Sequence, residues 1–184
     1  MRILGLSGSL RRGSLNRRLL RAASALLPPG VELVEWDGLA GLPAYDEDLE
    51  DAPPEAVREF LACVEDADAL LIATPEYNSS LPGALKNAID WASRPFPENV
   101  LRYKPTAVVG ASTGLFGAVW AQAELRKVLN HIGAEVADSE LAVGQAHLTL
   151  SDEGWRESEL AAQLREQLAG LVEAGCTEAE PAAA

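Results

Sequence analysis

Within nine residues, the segment Gly8-Ser9-Leu10-Arg11-Arg12-Gly13-Ser14-Leu15-Asn16 carries two hydroxyls, a carboxamide and two guanidinium groups. Ser9 and Ser14 offer hydroxyls, Asn16 offers an amide, and Gly8 and Gly13 let a backbone come close to a ligand. Such a set suits an anion. The apolar run Ile3-Leu4-Gly5-Leu6 before it predicts a buried strand. Leu15, Leu19, Ala22, Ala23, Leu26 and Leu27 after it predict a helix over 14–27, stopped by Pro28-Pro29-Gly30. The helix would aim its free N–H groups at the same loop. Arg17 and Arg18 in its first turn would oppose the helix dipole by about 0.3–1 kcal/mol each, a cost that a phosphate dianion there would offset. Ser14 also suits an N-cap, and capping and phosphate binding are compatible. The loop matches neither the Gly-x-x-x-x-Gly-Lys-Ser/Thr pattern nor Gly-x-Gly-x-x-Gly, and it has no cysteine nucleophile. A phosphate held as an anchor is the better reading.

A second loop, Thr74-Pro75-Glu76-Tyr77-Asn78-Ser79-Ser80-Leu81-Pro82-Gly83, follows another apolar run. It offers an aromatic ring beside backbone and side-chain hydrogen-bonding groups, as a planar heterocycle requires. Alone, Tyr77 is more often a packed surface aromatic than a stacking residue. Leu85-Lys86-Asn87-Ala88-Ile89-Asp90-Trp91 alone is an amphipathic helix with a buried Trp. A third loop, Ser112-Thr113-Gly114, follows the run Thr106–Ala111. The two histidines, His131 and His147, are far apart in sequence, and neither is assigned a catalytic role. Cys63 and Cys176 form no CxxC, so neither a metal site nor a disulfide framework is expected.

The net charge of −13 argues against nucleic-acid binding, which needs excess Lys and Arg. Before the first acid, Glu32, stand Arg2, Arg11, Arg12, Arg17, Arg18 and Arg21. This basic stretch is either a surface helix or a local anion site. Hydrophobic residues at 48% and charged residues at 23% describe a globular chain. Met1–Leu6 is too short for a secretory signal, and no apolar run reaches the roughly 18 residues of a membrane helix. A reducing cytoplasm and no membrane are expected.

These loops need a scaffold. Apolar strands at Ile3–Leu6, Val31–Trp36, Ala69–Thr74 and Thr106–Ala111, with a weaker one near 135–143, alternate with helices over 14–27, 54–65 and 81–92. A further helix runs from after Gly114 to about His131, and a last one spans 156–173. This alternation predicts an α/β doubly wound, three-layer sandwich with a five-stranded parallel sheet in the order 2-1-3-4-5. All three loops then fall at the carboxyl ends of the strands. Residues 37–53 read as a long surface connection, residues 1–176 as one domain, and 177–184 as a disordered tail.

Taken together, Gly8-Ser9-Leu10-Arg11 with Ser14 and Asn16, then Pro75-Glu76-Tyr77-Asn78, then Pro82-Gly83-x-Leu85-Lys86-Asn87-Ala88-Ile89-Asp90-Trp91 closely resemble the flavodoxin-like NADPH-dependent FMN reductase family. Its relatives include chromate, quinone and azo-dye reductases. The resemblance covers about residues 1–150. It implies that Ser9, Arg11, Ser14, Leu15 and Asn16 hold the FMN phosphate, and that Pro75, Glu76, Tyr77 and Asn78 line the isoalloxazine ring. Ser112, Thr113 and Gly114 are further implied contacts. It also implies NADPH or NADH as hydride donor, a small-molecule acceptor, and a homodimer or homotetramer. Members often carry a glycine pair and then Arg before Ala-Gln, whereas this chain has Gly117-Ala118-Val119-Trp120-Ala121-Gln122. A flavodoxin-type electron carrier is the rival reading, although such carriers usually have a Thr-rich phosphate loop.

Overall fold

The computed structural model describes residues 1–150 and 153–177. Strands β1 (Arg2–Ser7), β2 (Glu32–Trp36), β3 (Ala69–Thr74), β4 (Pro105–Ala111), β5 (Glu135–Val136) and β6 (Leu141–Val143) form one sheet. Its order is β2-β1-β3-β4-β5, with β6 also pairing β4, and every pair is parallel. The expected order therefore holds. The helices are α1 (Leu15–Ser24), α2 (Glu55–Glu65), α3 (Gly83–Ala92), α4 (Val119–His131), α5 (Ala146–Thr149) and α6 (Glu159–Thr177).

Alternation along the strands divides the core into two layers. Leu4, Leu6, Leu70, Ile72 and Val108 face one way, onto Phe60 and Val64 of α2, Leu85 and Ile89 of α3, and Leu125 and Leu129 of α4. Ile3, Leu71, Ala107 and Val109 face the other way, onto Leu19, Leu20 and Ala23 of α1 and Leu164, Leu168 and Leu171 of α6. Strands buried on both faces explain why β3 and β4 are apolar throughout.

Three readings change. The fifth strand is interrupted: between the pairs Thr106↔Val136 and Val109↔Leu141, β4 advances three residues and the edge advances five. The polar bulge that results is held where the Gln167 amide donates to the carbonyl of Ser139 at 3.2 Å, and to that of Val108 at 3.2 Å. The last helix runs on to Thr177, past its expected end near residue 173: Gly175 is buried against Met1 and Ala69, and the Thr177 hydroxyl donates to the Glu173 carbonyl at 2.9 Å; residues 178–184 of the expected tail lie outside the described residues. The 37–53 connection is tied down as well as exposed. Asn87 accepts from the Tyr45 amide at 2.8 Å and donates to the Pro43 carbonyl at 2.8 Å, which the Trp91 indole also reaches at 2.9 Å. Trp91 is 1% exposed, so the core and this tether account for it. Further along, Tyr45 donates to Glu50 and Arg94 donates to both. The Glu50 bond raises the Tyr45 phenol above its ordinary pKa.

Candidate functional site

β1 ends at Ser7, and the chain turns through residues 8–13 into α1. Ser14 caps that helix: its Oγ accepts from the Arg17 amide at 3.1 Å, and its carbonyl accepts from the Arg18 amide at 3.1 Å. The amides of Leu15 and Asn16 have no acceptor among the described residues. They are the orphan donors of a helix start, with the dipole's positive end behind them. Ser9 and Ser14 are nearly buried, Ser7 and Ser14 share a 3.3 Å hydroxyl contact, and Arg11 stands exposed above the turn. At Gly8 a Cβ would lie 3.0 Å from Leu85 Cδ2 and 3.1 Å from Pro75 Cδ, which packs the turn against the second loop.

Asn16 does something its position in the sequence does not reveal. The β3 ladder onto β4 ends at Thr74↔Gly110, and the next residue, Pro75, has no N–H. Ala111, the last residue of β4, would be left without a partner there. The Asn16 carboxamide takes that place, accepting from the Ala111 amide at 2.9 Å and donating to its carbonyl at 3.0 Å. It thereby pins the start of α1 to the end of β4.

In the second loop, Tyr77 and Ser80 exchange backbone bonds of 3.0 and 3.2 Å around Asn78 (φ 54°) and Ser79 (φ 61°), a tight turn of the type with two left-handed central residues. The turn presents the Tyr77 ring, 48% exposed, beside the cleft. Glu76 reaches across to the third loop. Its Oε2 accepts from the amides of Trp120 at 3.1 Å and Ala121 at 3.3 Å, at the start of α4. The N-cap residue there, Ala118, is left-handed and has no side chain able to cap, so Glu76 caps α4 from another loop. Gly117 (φ 55°) lies where a Cβ would sit 2.5 Å from the Val143 amide. The third loop is thus pressed onto the segment after β6, which also binds it through Ser112 N–H to Val143 O (3.1 Å) and Gln145 N–H to Gly114 O (2.8 Å).

These loops enclose one cleft of about 140 Å³ at the carboxyl edge of the sheet. Ser9, Arg11, Ser14, Leu15 and Asn16 form one wall; Pro75, Glu76 and Tyr77 form the second; Ser112 and Thr113, with Ala111, form the third. Asn78 and Gly114 are on the loops but not on the walls: Asn78 supplies a left-handed turn position, and Gly114 is exposed and bonded to Gln145. Ala111 carries no chemical signal in the sequence, since its side chain is a methyl group and its N–H and C=O are taken by Asn16. The basic N-terminal stretch resolves unevenly. Arg17 and Arg21 pair with Glu35 on β2 at 3.5 and 3.2 Å, and Arg18 donates to the Leu150 carbonyl at 3.1 Å. Arg11 alone of the six lines the cleft. His131 is exposed at the end of α4 and His147 lies on α5, neither of them a lining residue.

The arrangement fits an elongated ligand with an anion at one end and a flat ring at the other. Two free helix amides, two seryl hydroxyls and a guanidinium are gathered on one wall, and Pro75–Tyr77 and Ser112–Thr113 form the other two. The model for NADPH-dependent FMN reductase matches residues 1–148, which include all three loops. The chain belongs to the NADPH-dependent FMN reductase family. It is an oxidoreductase of flavodoxin-like α/β fold that works with FMN and NAD(P)H on small acceptors. An NAD(P)H-dependent FMN reductase of Pseudomonas aeruginosa is 51% identical over 130 residues, 70% of this chain and 69% of that one. A 2-hydroxy-1,4-benzoquinone reductase of a Burkholderia species is 44% identical over 132 residues, 72% of each. Among solved structures, the flavoenzyme FerB, an NAD(P)H:(acceptor) oxidoreductase from Paracoccus denitrificans, superposes with a TM-score of 0.85 at 35% identity. That match covers 96% of this chain and 97% of FerB.

Proposed function

We propose that the chain is a single-domain, cytoplasmic NAD(P)H:quinone oxidoreductase, acting as a homodimer, with residues 1–176 as its domain. The observation that carries this reading is the open start of α1 beside the Pro75–Tyr77 turn. Ser9, Arg11, Ser14 and the amides of Leu15 and Asn16 hold the FMN phosphate. Pro75, Glu76 and Tyr77, with Ser112 and Thr113, flank the isoalloxazine. FMN, when bound, supplies the hydride chemistry that no side chain of the protein can supply. The chain's part is to anchor, orient and exclude water.

Anchoring rests on charge. A phosphate dianion at the α1 amides gains from the helix dipole and from Arg11, within a protein otherwise acidic enough to repel it. Orientation rests on the two cross-links, Asn16 to Ala111 and Glu76 to α4, which fix the three loops relative to one another. Among the described residues, the titratable side chains on the walls are Arg11, Glu76 and Tyr77, and the Glu76 carboxylate is engaged by two amides. The nicotinamide gives up a hydride, and the quinone gains that hydride and one proton to become the hydroquinone.

The relative named as a benzoquinone reductase supports the acceptor class. The free Cys63 and Cys176 suit a reducing compartment, and among the described residues no helix is long and apolar enough to cross a membrane. The test is an anaerobic titration of the FMN-reconstituted protein with NADPH, followed by menadione. Bleaching of the flavin bands by NADPH and their return with menadione is expected. Bands that stay unchanged by NADPH would overturn the proposal.

A further inference from the structure

Phe116 and Trp120 are 62% and 50% exposed, yet they pack on each other edge to face with centroids 5.1 Å apart. Leu115 beside them is also exposed. This apolar group stands next to the cleft without forming its wall: the Trp120 amide is one of the two that Glu76 grips, and Glu76 is on the wall. Monomer packing gives no reason for two large aromatic rings to stand in water at that place.

The two helix starts beside the cleft differ in charge. That of α1 is open, with Arg11 above it, and accepts an anion. That of α4 is already filled by the Glu76 carboxylate, whose full negative charge exceeds the roughly half charge of a helix end. The aromatic side of the cleft thus keeps a net negative charge and, among the described residues, no cation on its wall, in a protein of net charge −13. An oxyanion approaching there meets a negative charge and no cation, only the neutral hydroxyls of Tyr77, Ser112 and Thr113. An uncharged flat ring finds Tyr77, Phe116 and Trp120.

We propose that Phe116 and Trp120, positioned by Glu76, set acceptor choice in favour of uncharged planar aromatic molecules and against oxyanions. The proposal rests on reading the cleft as the FMN site. Edge-to-face and offset ring contacts add specificity beyond area, so each ring is expected to shift acceptor KM by roughly threefold to tenfold.

The test uses the FMN-reconstituted protein with menadione and chromate as competing acceptor types, in the natural chain and in Trp120→Arg, Trp120→Phe and Phe116→Ala. Calorimetric titration with naphthol, a neutral flat ring that accepts no hydride, reads binding without turnover. Trp120→Arg is expected to raise KM for menadione, lower it for chromate, and change the ratio of their kcat/KM by about tenfold or more. Trp120→Phe should stay within about twofold of the natural chain, since a ring is retained. Phe116→Ala should weaken naphthol binding and raise menadione KM together. A menadione-to-chromate ratio unchanged in Trp120→Arg would overturn the proposal. So would equal loss for both acceptors accompanied by a change of oligomer size on gel filtration, which would assign the ring pair to a contact between subunits. Failure of the natural chain to bind FMN at all would instead sink the cleft reading itself, a result visible in the spectrum before any acceptor is added.

Discussion

Replacing Asn16 by Ala separates two roles that its position allows. If its carboxamide stands in for the missing continuation of β3, the substitution should destabilise the protein even without flavin. Two hydrogen bonds to Ala111 are lost, each worth about 0.5–1.5 kcal/mol net, and the Ala111 amide and carbonyl are left in a place water reaches poorly. Asn16 is 2% exposed and Ala111 is 2% exposed, so the loss should total about 2–3 kcal/mol. For a chain of this size each kcal/mol moves Tm by about 2–4 °C, which gives a fall of about 4–12 °C. The assay is thermal unfolding of the FMN-free protein followed by far-UV circular dichroism. Asn16→Asp should do no better than Ala, because it keeps an acceptor for the Ala111 amide but sets an oxygen against the Ala111 carbonyl. A Tm of the FMN-free Ala variant within about 1 °C of the natural chain would refute the reasoning, since two buried bonds cannot be that cheap. Loss of FMN affinity at unchanged Tm would show that the Asn16 side chain meets the phosphate directly.

Arg11→Ala should weaken FMN binding about tenfold and leave riboflavin binding within about twofold, because riboflavin lacks the phosphate; flavin-fluorescence quenching measures both. Glu76→Ala should cost about 0.5–2 kcal/mol, the worth of a helix cap, whereas Glu76→Gln keeps an acceptor for the Trp120 and Ala121 amides and should recover most of it in the same melting assay. Gly117→Ala places a methyl group 2.5 Å from the Val143 amide at a left-handed φ, and should destabilise by more than about 2 kcal/mol.

Strand order and the position of the three loops were legible because β1, β3 and β4 are buried on both faces and so carry unbroken apolar runs. The edge was less legible. Glu135–Val143 pairs on one side only, and its bulge depends on Gln167, a distant residue on α6 that no local pattern links to it. Within the cleft, residue types marked out the Ser9–Asn16 segment, whose Ser9, Arg11, Ser14, Leu15 and Asn16 share one wall. They did not announce which arginines reach that wall: Arg17 and Arg21 turn to Glu35, a partner that becomes adjacent only when β2 lies beside β1. Glu76 is a ring-lining residue only by the family resemblance. Its bond to the start of α4 follows from Ala118, which gives that helix no cap of its own. Asn16 read as a phosphate ligand by its chemistry, and its engagement with Ala111 follows from where β3 stops.

The most direct test of the account is a crystal structure of the protein grown with FMN. The account predicts the phosphate against the amides of Leu15 and Asn16 with Arg11 above it, and the tricycle between Pro75–Tyr77 and Ser112–Thr113. A flavin bound elsewhere on the surface, or turned so that its ring rather than its phosphate meets the start of α1, would contradict it.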